Sequence, residues 1–119
     1  MSDRFKFRVW DKVSKRYFFL ELKFGDNGYH PLFIEKPIFE QCTGLKDKNG
    51  KLIYEGDIIL VDDNKCPVEW DSENARYNVV GYGEIAYLNY NEIEIIGNIN
   101  ENADLLGEND ETNWFRRLY

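Results

Sequence analysis

Apolar and polar side chains alternate along much of the chain with a period of two residues. Near the start, Phe5, Phe7 and Val9 alternate with Lys6, Arg8 and Trp10, which gives one apolar face and one mostly polar face. Because successive side chains of a strand point to opposite faces, this alternation predicts a strand. The same reasoning, applied also to short apolar runs, predicts strands at residues 17–24, 29–34, 41–45, 52–54, 58–61, 66–70, 77–80, 85–88 and 93–99.

Turn-forming residues separate these strands. The polar stretch 11–16 has the length of a hairpin connection, and residues 25–28 form a strong turn signal. Asn49 and Gly50 are typical of a tight hairpin tip. We therefore expect a mainly β fold, a small barrel-like or sandwich domain built of short antiparallel strands.

Helix signals are confined to the C-terminal end. Asn100 is a candidate cap for a single turn through Leu106 that ends at Gly107. A second candidate helix runs over residues 110–119, where Trp114 and Leu118 lie four positions apart. The sequence therefore predicts a short C-terminal helical segment after the strands.

The charge of the chain is acidic and unevenly distributed. The 119 residues have the length of one domain and a formal net charge of −7. Residues 61–119 hold most of the acid, with 4 Lys or Arg against 13 Asp or Glu. This balance argues against broad binding to a phosphate backbone, which needs clustered cations. It leaves open an acidic protein that imitates DNA and occupies a DNA-binding protein.

A small basic face near the N-terminus supports an alternative function, nucleic-acid binding. Its cations are Arg4, Lys6, Arg8, Lys12, Lys15 and Arg16. Aromatic side chains exposed on a β surface stack on unpaired bases, and the candidates are Tyr17, Phe19, Tyr87 and Tyr90. Hairpin strands also carry such charges on their wet side for structural reasons, so both interpretations stay open.

Reactive side chains are scarce. The chain has 1 His and 2 Cys, and it lacks the glycine motifs that cradle phosphates. A weak Ca²⁺ or Mg²⁺ site near Asp62 and Asp63, and with it a carboxylate-metal enzyme, is a further alternative. The neighbouring carboxylates are Asp57, Glu69 and Asp71. We expect no catalytic residues, no cofactor and no metal, with reduced thiols and a buried Cys42.

The last residues concentrate large apolar side chains at one end of the chain. Four of them fall within six positions, namely Trp114, Phe115, Leu118 and Tyr119. In water they would form an exposed apolar patch that promotes association. They are therefore candidate contact residues, which dock either on the parent domain or on another copy. A homo-oligomer formed through this tail is therefore a hypothesis.

Several blocks of the sequence together resemble one family. They are residues 7–11, 43–50, 53–58, 68–70 and 96–99, followed by 101–102 and 105–106. On these blocks the chain resembles the YopX family of small phage and prophage proteins, over about residues 4–106. The resemblance implies a mainly β protein expressed inside a bacterial host, with no established activity, cofactor or catalytic residues. It divides the chain into a YopX-like β domain at residues 1–106 and a C-terminal extension at residues 107–119.

The preferred hypothesis is a non-enzymatic binding or assembly module that acts by protein–protein contact. We expect it in the cytoplasm of the bacterial host, since no apolar run has the length of a membrane span and no secretion signal is visible. Homo-oligomers are plausible because small β proteins often pair edges or bury aromatic patches. The partner protein stays open.

Overall fold

The alternating pattern folds into two antiparallel sheets in a computed structural model that describes residues 5–21 and 37–107. Their strands are β1 (Lys6–Asp11), β2 (Arg16–Glu21), β3 (Pro37–Lys46), β4 (Leu52–Tyr54), β5 (Asp57–Val61), β6 (Asn64–Asp71), β7 (Arg76–Val79), β8 (Gly83–Glu84) and β9 (Glu94–Asn98). The four-stranded sheet has the order β2-β1-β3-β4, and the five-stranded sheet has the order β8-β7-β6-β5-β9. The prediction of a mainly β fold is confirmed, in its sandwich-like form.

A polar turn folds β2 back onto β1. The Asp11 carboxylate accepts a hydrogen bond of 2.9 Å from the Val13 N–H, as short acidic side chains do in turns. The resulting register pairs Arg8 of β1 with Phe19 of β2, and β3 places Glu40 against Arg8 from the other side. Since directly paired residues share a face of the sheet, these three side chains lie side by side.

The face of β1 that the alternation predicts to be wet is buried. Arg8 and Trp10 are each 7% exposed, because the first residue of the five-stranded sheet, Asp57, contacts Arg8 on this face. A polar side chain in an alternating pattern indicates solvent only when no second layer supplies it with a charged partner. The prediction of a mostly polar, solvent-facing side of β1 was therefore wrong at Arg8.

The main hydrophobic core lies on one face of the five-stranded sheet. Its fully buried members include Ile59, Val68 and Val79, together with Ile53 from the four-stranded sheet. On the opposite face, Ile58 packs against Ile99 and Leu106. Burial on both faces explains why residues 58–61 form a continuous apolar run rather than an alternating one.

Asp47 ties the hairpin tip between β3 and β4 to β9. Its Oδ1 accepts hydrogen bonds from the Asn49 and Lys51 N–H groups at 2.9 and 3.0 Å, and its Oδ2 accepts one from Ile95 at 3.0 Å. Burial opposes ionisation, but these three donors outweigh it and lower the pKa of the Asp47 carboxyl. Gly50 follows with a φ of 80°, as the predicted tip requires.

Residues 85–88, predicted as a strand, do not form one. A 3-10 turn spans Ile85–Tyr87, and the Leu88 N–H donates to the Ile85 carbonyl at 3.0 Å. Ile85 enters the core while Tyr87 is 85% exposed. A short apolar run is compatible with several local structures, and here the tertiary position of Ile85 decides.

The chain continues after β9 into a 3-10 turn at Ala103–Leu106 that ends at Gly107, whose φ is 72°. The predicted turn is confirmed, but Asn100 does not cap it, because its amide bonds to the four-stranded sheet instead. The predicted strand at residues 29–34 and the predicted helix at 110–119 lie outside the described residues. None of the helices within residues 5–21 and 37–107 has the length and hydropathy of a membrane span.

Candidate protein-contact surface

A buried polar cluster joins the two sheets. We call it the Arg8 cluster, and it comprises Arg8, Tyr17, Glu40, Asp57 and Asn100. Arg8 is 7% exposed, Glu40 is 0% and Asp57 is 2%. Buried charges of this kind are stable only when they are paired and hydrogen-bonded.

The Arg8 guanidinium meets both carboxylates directly. Its Nε donates to Glu40 Oε1 at 2.7 Å, and its Nη2 lies 2.8 Å from Asp57 Oδ1. The same Nη2 donates to the Glu55 carbonyl at 3.3 Å. The Tyr54 N–H occupies the second Asp57 oxygen at 2.8 Å. One side chain of β1 thereby holds β3 and β5 together.

Two tyrosine rings and one amide complete the cluster. The guanidinium carbon of Arg8 lies 4.5 Å from the Tyr17 ring centroid and 4.9 Å from that of Tyr54, within cation–π range. The Tyr17 hydroxyl donates to Glu40 at 3.1 Å. Asn100 donates to that hydroxyl at 2.8 Å and to the other Glu40 oxygen at 3.1 Å. The turn after β9 is thus bonded to the four-stranded sheet.

Titration of the cluster follows from burial and charge. Burial raises the pKa of Asp57, although the Arg8 guanidinium and the Tyr54 N–H partly oppose the shift. Burial also raises the pKa of Tyr17 well above its ordinary range, with the Glu40 carboxylate acting in the same direction. For Arg8, burial acts against the charge, but Asp57 and Glu40 outweigh it and raise the pKa. The guanidinium therefore stays charged.

A depression of about 640 Å³ opens beside the Arg8 cluster, between Phe19 and the turn after β9. Its polar groups bond to one another: the Asn98 amide donates to Glu101 at 2.8 Å, and the Asn98 N–H donates to Asn102 at 3.2 Å. These contacts are internal to the fold. These bonded groups therefore serve the fold rather than a ligand.

The carboxylates of the candidate cation site are not brought together. Asp57 belongs to the Arg8 cluster, and Asp62 and Asp63 are exposed in the turn between β5 and β6. Asp71 accepts from the Asn74 amide at 2.8 Å in the next turn. Within the described residues, no three His, Cys, Asp or Glu side chains form a group that would hold a metal ion.

A second feature of the fold is an exposed apolar surface. We call it the apolar face, and it comprises Leu45, Trp70, Ala86, Tyr87 and Tyr90. Leu45 is 36% exposed, Trp70 41%, Tyr90 60% and Tyr87 85%. Side chains of this size are not usually left in water together unless they form a contact site.

Two adjoining depressions shape the apolar face. The larger, which we call the Leu88 groove, has a volume of about 370 Å³ and is lined by residues that include Leu45, Ala86, Leu88 and Tyr90. The smaller, of about 190 Å³, lies beside Trp70 and shares Leu45 and Ala86 with the groove. The surface is therefore concave rather than flat.

Local backbone features place these side chains outward. The pairing of β3 with β4 is irregular between Cys42 and Lys46, and Gly44 has a φ of 86° there, so β3 bends next to Leu45. Two 3-10 turns, at Ile85–Tyr87 and Tyr90–Glu92, place Ile85 and Ile93 in the core while Tyr87 and Tyr90 stay exposed. Trp70 contacts Tyr77 edge-on at 4.9 Å between ring centroids.

The structure exposes some of the candidate nucleic-acid-binding residues and buries others. Lys12, Lys15 and Arg16 are exposed at the turn between β1 and β2, Lys6 is half-buried, and Arg8 is buried in ion pairs. Arg4 lies outside the described residues. Among the candidate stacking residues, Phe19 is 70% exposed, whereas Tyr17 belongs to the Arg8 cluster on the same sheet. The candidate contact residues Trp114, Phe115, Leu118 and Tyr119 also lie outside the described residues.

Sequence reasoning missed the two features that the fold assembles. Glu40 and Asp57 are 32 and 49 positions from Arg8 in the sequence, and no local spacing signals their contact. The size of the Trp70 ring alone favours burial, but the side chain is 41% exposed. The surplus of aromatic residues was the one signal available for the apolar face.

The fold and these two features define a small two-sheet β protein with a paired internal charge cluster and an exposed apolar surface. The chain belongs to the YopX protein family, whose family model matches residues 6–107. The resemblance in the sequence is thereby confirmed. Among curated proteins, no relative matches the chain.

Solved structures agree with the family assignment. Protein EF1440 from Enterococcus faecalis is similar to the chain with 26% identity and a TM-score of 0.60, covering 85% of this chain and 96% of that one. Protein yopX from Bacillus subtilis has 19% identity and a TM-score of 0.50, covering 87% of this chain and 98% of that one. The second similarity shows the shared fold alone.

Proposed function

We propose that this YopX-family protein is a non-enzymatic binding module whose apolar face contacts another protein. The observation that carries the proposal is the exposure of Leu45, Trp70 and Tyr90 around two adjoining depressions. The exposed Tyr87 lies in the sequence between the lining residues Ala86 and Leu88. Protein interfaces are enriched in Tyr and Trp at their centres, where burial of these rings dominates binding.

The distribution of charge supports the same conclusion. The buried charges of the Arg8 cluster are bonded among themselves, so they serve to hold the sheets together. The apolar face instead carries side chains whose burial against a partner would remove area from water, at roughly 25 cal/mol per Å². Contact, rather than chemistry on a substrate, is what the exposed groups favour.

The setting we propose is the interior of a bacterial cell. The two similar structures come from Enterococcus faecalis and Bacillus subtilis. A phage or prophage origin stays a prediction from the family resemblance. A host lysate is therefore the source in which to look for a partner.

The test is affinity capture from that lysate with three forms of the full chain. They are the natural chain, a Trp70→Ser/Tyr87→Ser variant of the apolar face, and a Phe19→Ser control. Phe19 is 70% exposed but lies on the four-stranded sheet. We expect one protein to be retained by the natural chain and the control, lost with the face variant, and bound again when purified. An identical set of proteins on all three forms would contradict the proposal.

A second candidate function, nucleic-acid binding, is favoured by the exposed cations of the β1–β2 turn, Lys12, Lys15 and Arg16. It predicts a DNA affinity that falls steeply with salt. The measurement is a gel shift at about 50 mM salt, with a Lys12→Ser/Arg16→Ser variant as comparison. Absence of a shift, or an equal shift with the variant, would contradict it.

A further inference from the structure

We propose that the Leu88 groove binds the C-terminal segment 114–119 of a second copy of this chain. The inference rests on the proposed function, because it names a partner for part of the apolar face. It follows from the shape of the groove, the composition of the segment, the charges on the rim and the place where the described chain ends.

The groove has the size for a short apolar segment. Its volume of about 370 Å³ lies near the lower end of the roughly 300–1,000 Å³ typical of binding clefts. Such a cleft accommodates a few side chains rather than the flat surface of a folded domain. Leu45, Leu88 and Tyr90 give it apolar walls, and the exposed Ala86 leaves it open.

The segment carries the matching side chains. Trp114 and Leu118, and likewise Phe115 and Tyr119, are four positions apart, which is the spacing of one helical face. Insertion of such a face into an apolar groove is a common mode of peptide recognition. The segment supplies four large apolar groups to a groove that is open to solvent.

One acidic side chain next to the groove suits the two arginines of the segment. Arg116 and Arg117 lie between the apolar residues of the segment. Glu92 is exposed between the groove residues Tyr90 and Ile93. Lys46 also lines the groove and opposes these arginines, so the apolar contacts carry the affinity and Glu92 helps to orient the segment.

The described chain ends on the face of the sheet that is turned away from the groove. Leu106 packs with Ile58, whereas the groove residue Ile93 packs in the cluster of Ile59. Successive residues of a strand face opposite sides. Gly107 therefore leaves the fold behind the groove.

The position of Gly107 favours a segment from a second copy, rather than from the same molecule, as the occupant of the groove. The 3-10 turn before Gly107 contacts β6, so the segment of the same molecule would have to pass around the edge of the sheet to reach the groove. The connection from Gly107 to Trp114 spans about 25 Å when fully extended. A second copy has no such restriction, and two copies can exchange segments with two-fold symmetry.

The test measures the mass of the full chain by size exclusion with light scattering. The groove variant is Ala86→Arg, at an exposed position, with Tyr90→Ser, 60% exposed, as a second variant should the first fail to fold. The tail variant is Trp114→Asp/Leu118→Asp. The control is Val13→Arg, at a position that is 60% exposed in the turn between β1 and β2.

We expect the natural chain and the control to form dimers of the 14.2 kDa chain, and the groove and tail variants to dimerise at least about 10-fold more weakly. Mixing the groove variant with the tail variant leaves one intact groove and one intact segment, so it should restore part of the dimer. A monomeric natural chain, or a dimer that survives in the tail variant, would overturn the inference.

The outcomes separate this inference from the proposed function. A dimer lost with the groove variant but kept by the tail variant would leave the apolar face as a contact surface and exclude the segment as its occupant. A dimer kept by both would place the interface elsewhere and contradict the inference. The capture experiment would still decide the proposed function in either case.

Discussion

The Arg8 cluster and the apolar face invert the usual distribution of side chains. Arg8, Glu40 and Asp57 are charged and at most 7% exposed, whereas Tyr87 and Tyr90 are aromatic and 60% or more exposed. In most folded domains charged groups lie outside and large apolar groups lie inside. Each region therefore needs a specific explanation.

The two explanations differ. In the Arg8 cluster every charge finds its partner within the same chain, so the cluster fixes how the sheets meet. On the apolar face, the described part of the chain covers the rings only partly. The comparison indicates that charged groups paired within the chain have a structural role. Large apolar side chains left exposed instead indicate a contact role.

Arg8→Met tests the structural side of this comparison and should have the largest effect. It leaves the buried Glu40 and Asp57 carboxylates without their countercharge, which costs about 3–5 kcal/mol of unfolding free energy. Urea denaturation measures the loss. Lys12→Met, at an exposed site, is the control and should change stability by less than about 0.5 kcal/mol. A loss below about 1 kcal/mol for Arg8→Met would contradict a structural role.

Asp47→Asn should cost about 2 kcal/mol near neutral pH, because the amide cannot accept from all three N–H groups without turning a donor toward one of them. The pKa of Asp47 lies below its ordinary value of 3.8, so its contribution is present above about that pH and is lost as the pH falls further.

The measurement compares the melting temperatures of the natural chain and Asp47→Asn from pH 7 down to about pH 2.5. The difference between the two melting temperatures should narrow below the ordinary Asp pKa of 3.8. Asp63→Asn, at an exposed turn position, should track the natural chain. A gap that widens in acid would show that the sign is wrong.

Gly97→Ala probes how tightly the turn that carries Asn100 is held. An added Cβ would lie 2.7 Å from Asn102 Oδ1 and 3.0 Å from its Cβ, so the side chain must move, at a cost of about 1–3 kcal/mol. Gly50→Ala meets nothing within 4 Å and should cost about 1 kcal/mol from its positive φ alone. Thermal unfolding compares them, and a larger loss at Gly50 would contradict this packing.

Tyr87→Ser should have the smallest effect on folding, within about 0.5 kcal/mol, because the ring is 85% exposed. Urea denaturation checks this value. A loss above about 1.5 kcal/mol would mean that the ring supports the fold rather than a contact. The same outcome would weaken the contrast between the two regions.

The sequence predicts local structure well and contacts between distant residues poorly. The hairpin at Asn49 and Gly50 and the apolar strand at residues 58–61 are encoded by neighbouring residues, and both are present. Arg8 looks like a surface cation because its partners are supplied by two other strands. Residues 85–88 carry the right composition for a strand, yet the seating of Ile85 in the core selects a 3-10 turn.

The sequence predicted the type of candidate site, a contact surface, but not the residues that form it. Too few reactive groups and many aromatic ones favour a contact function, but the residues of the apolar face come from β3, β6 and two 3-10 turns. Their convergence depends on the bend at Gly44 and on the register of the sheets. Neither follows from periodicity.

The two cysteines give each sheet its own chemical reporter. Cys42 lies in β3 and is 0% exposed, Cys66 lies in β6 and is 5% exposed, and no disulfide joins them. A thiol reagent can therefore modify either one only when its sheet opens. Equal labelling rates would mean that the sheets unfold as one cooperative unit, and faster labelling of one thiol would identify the sheet that opens first.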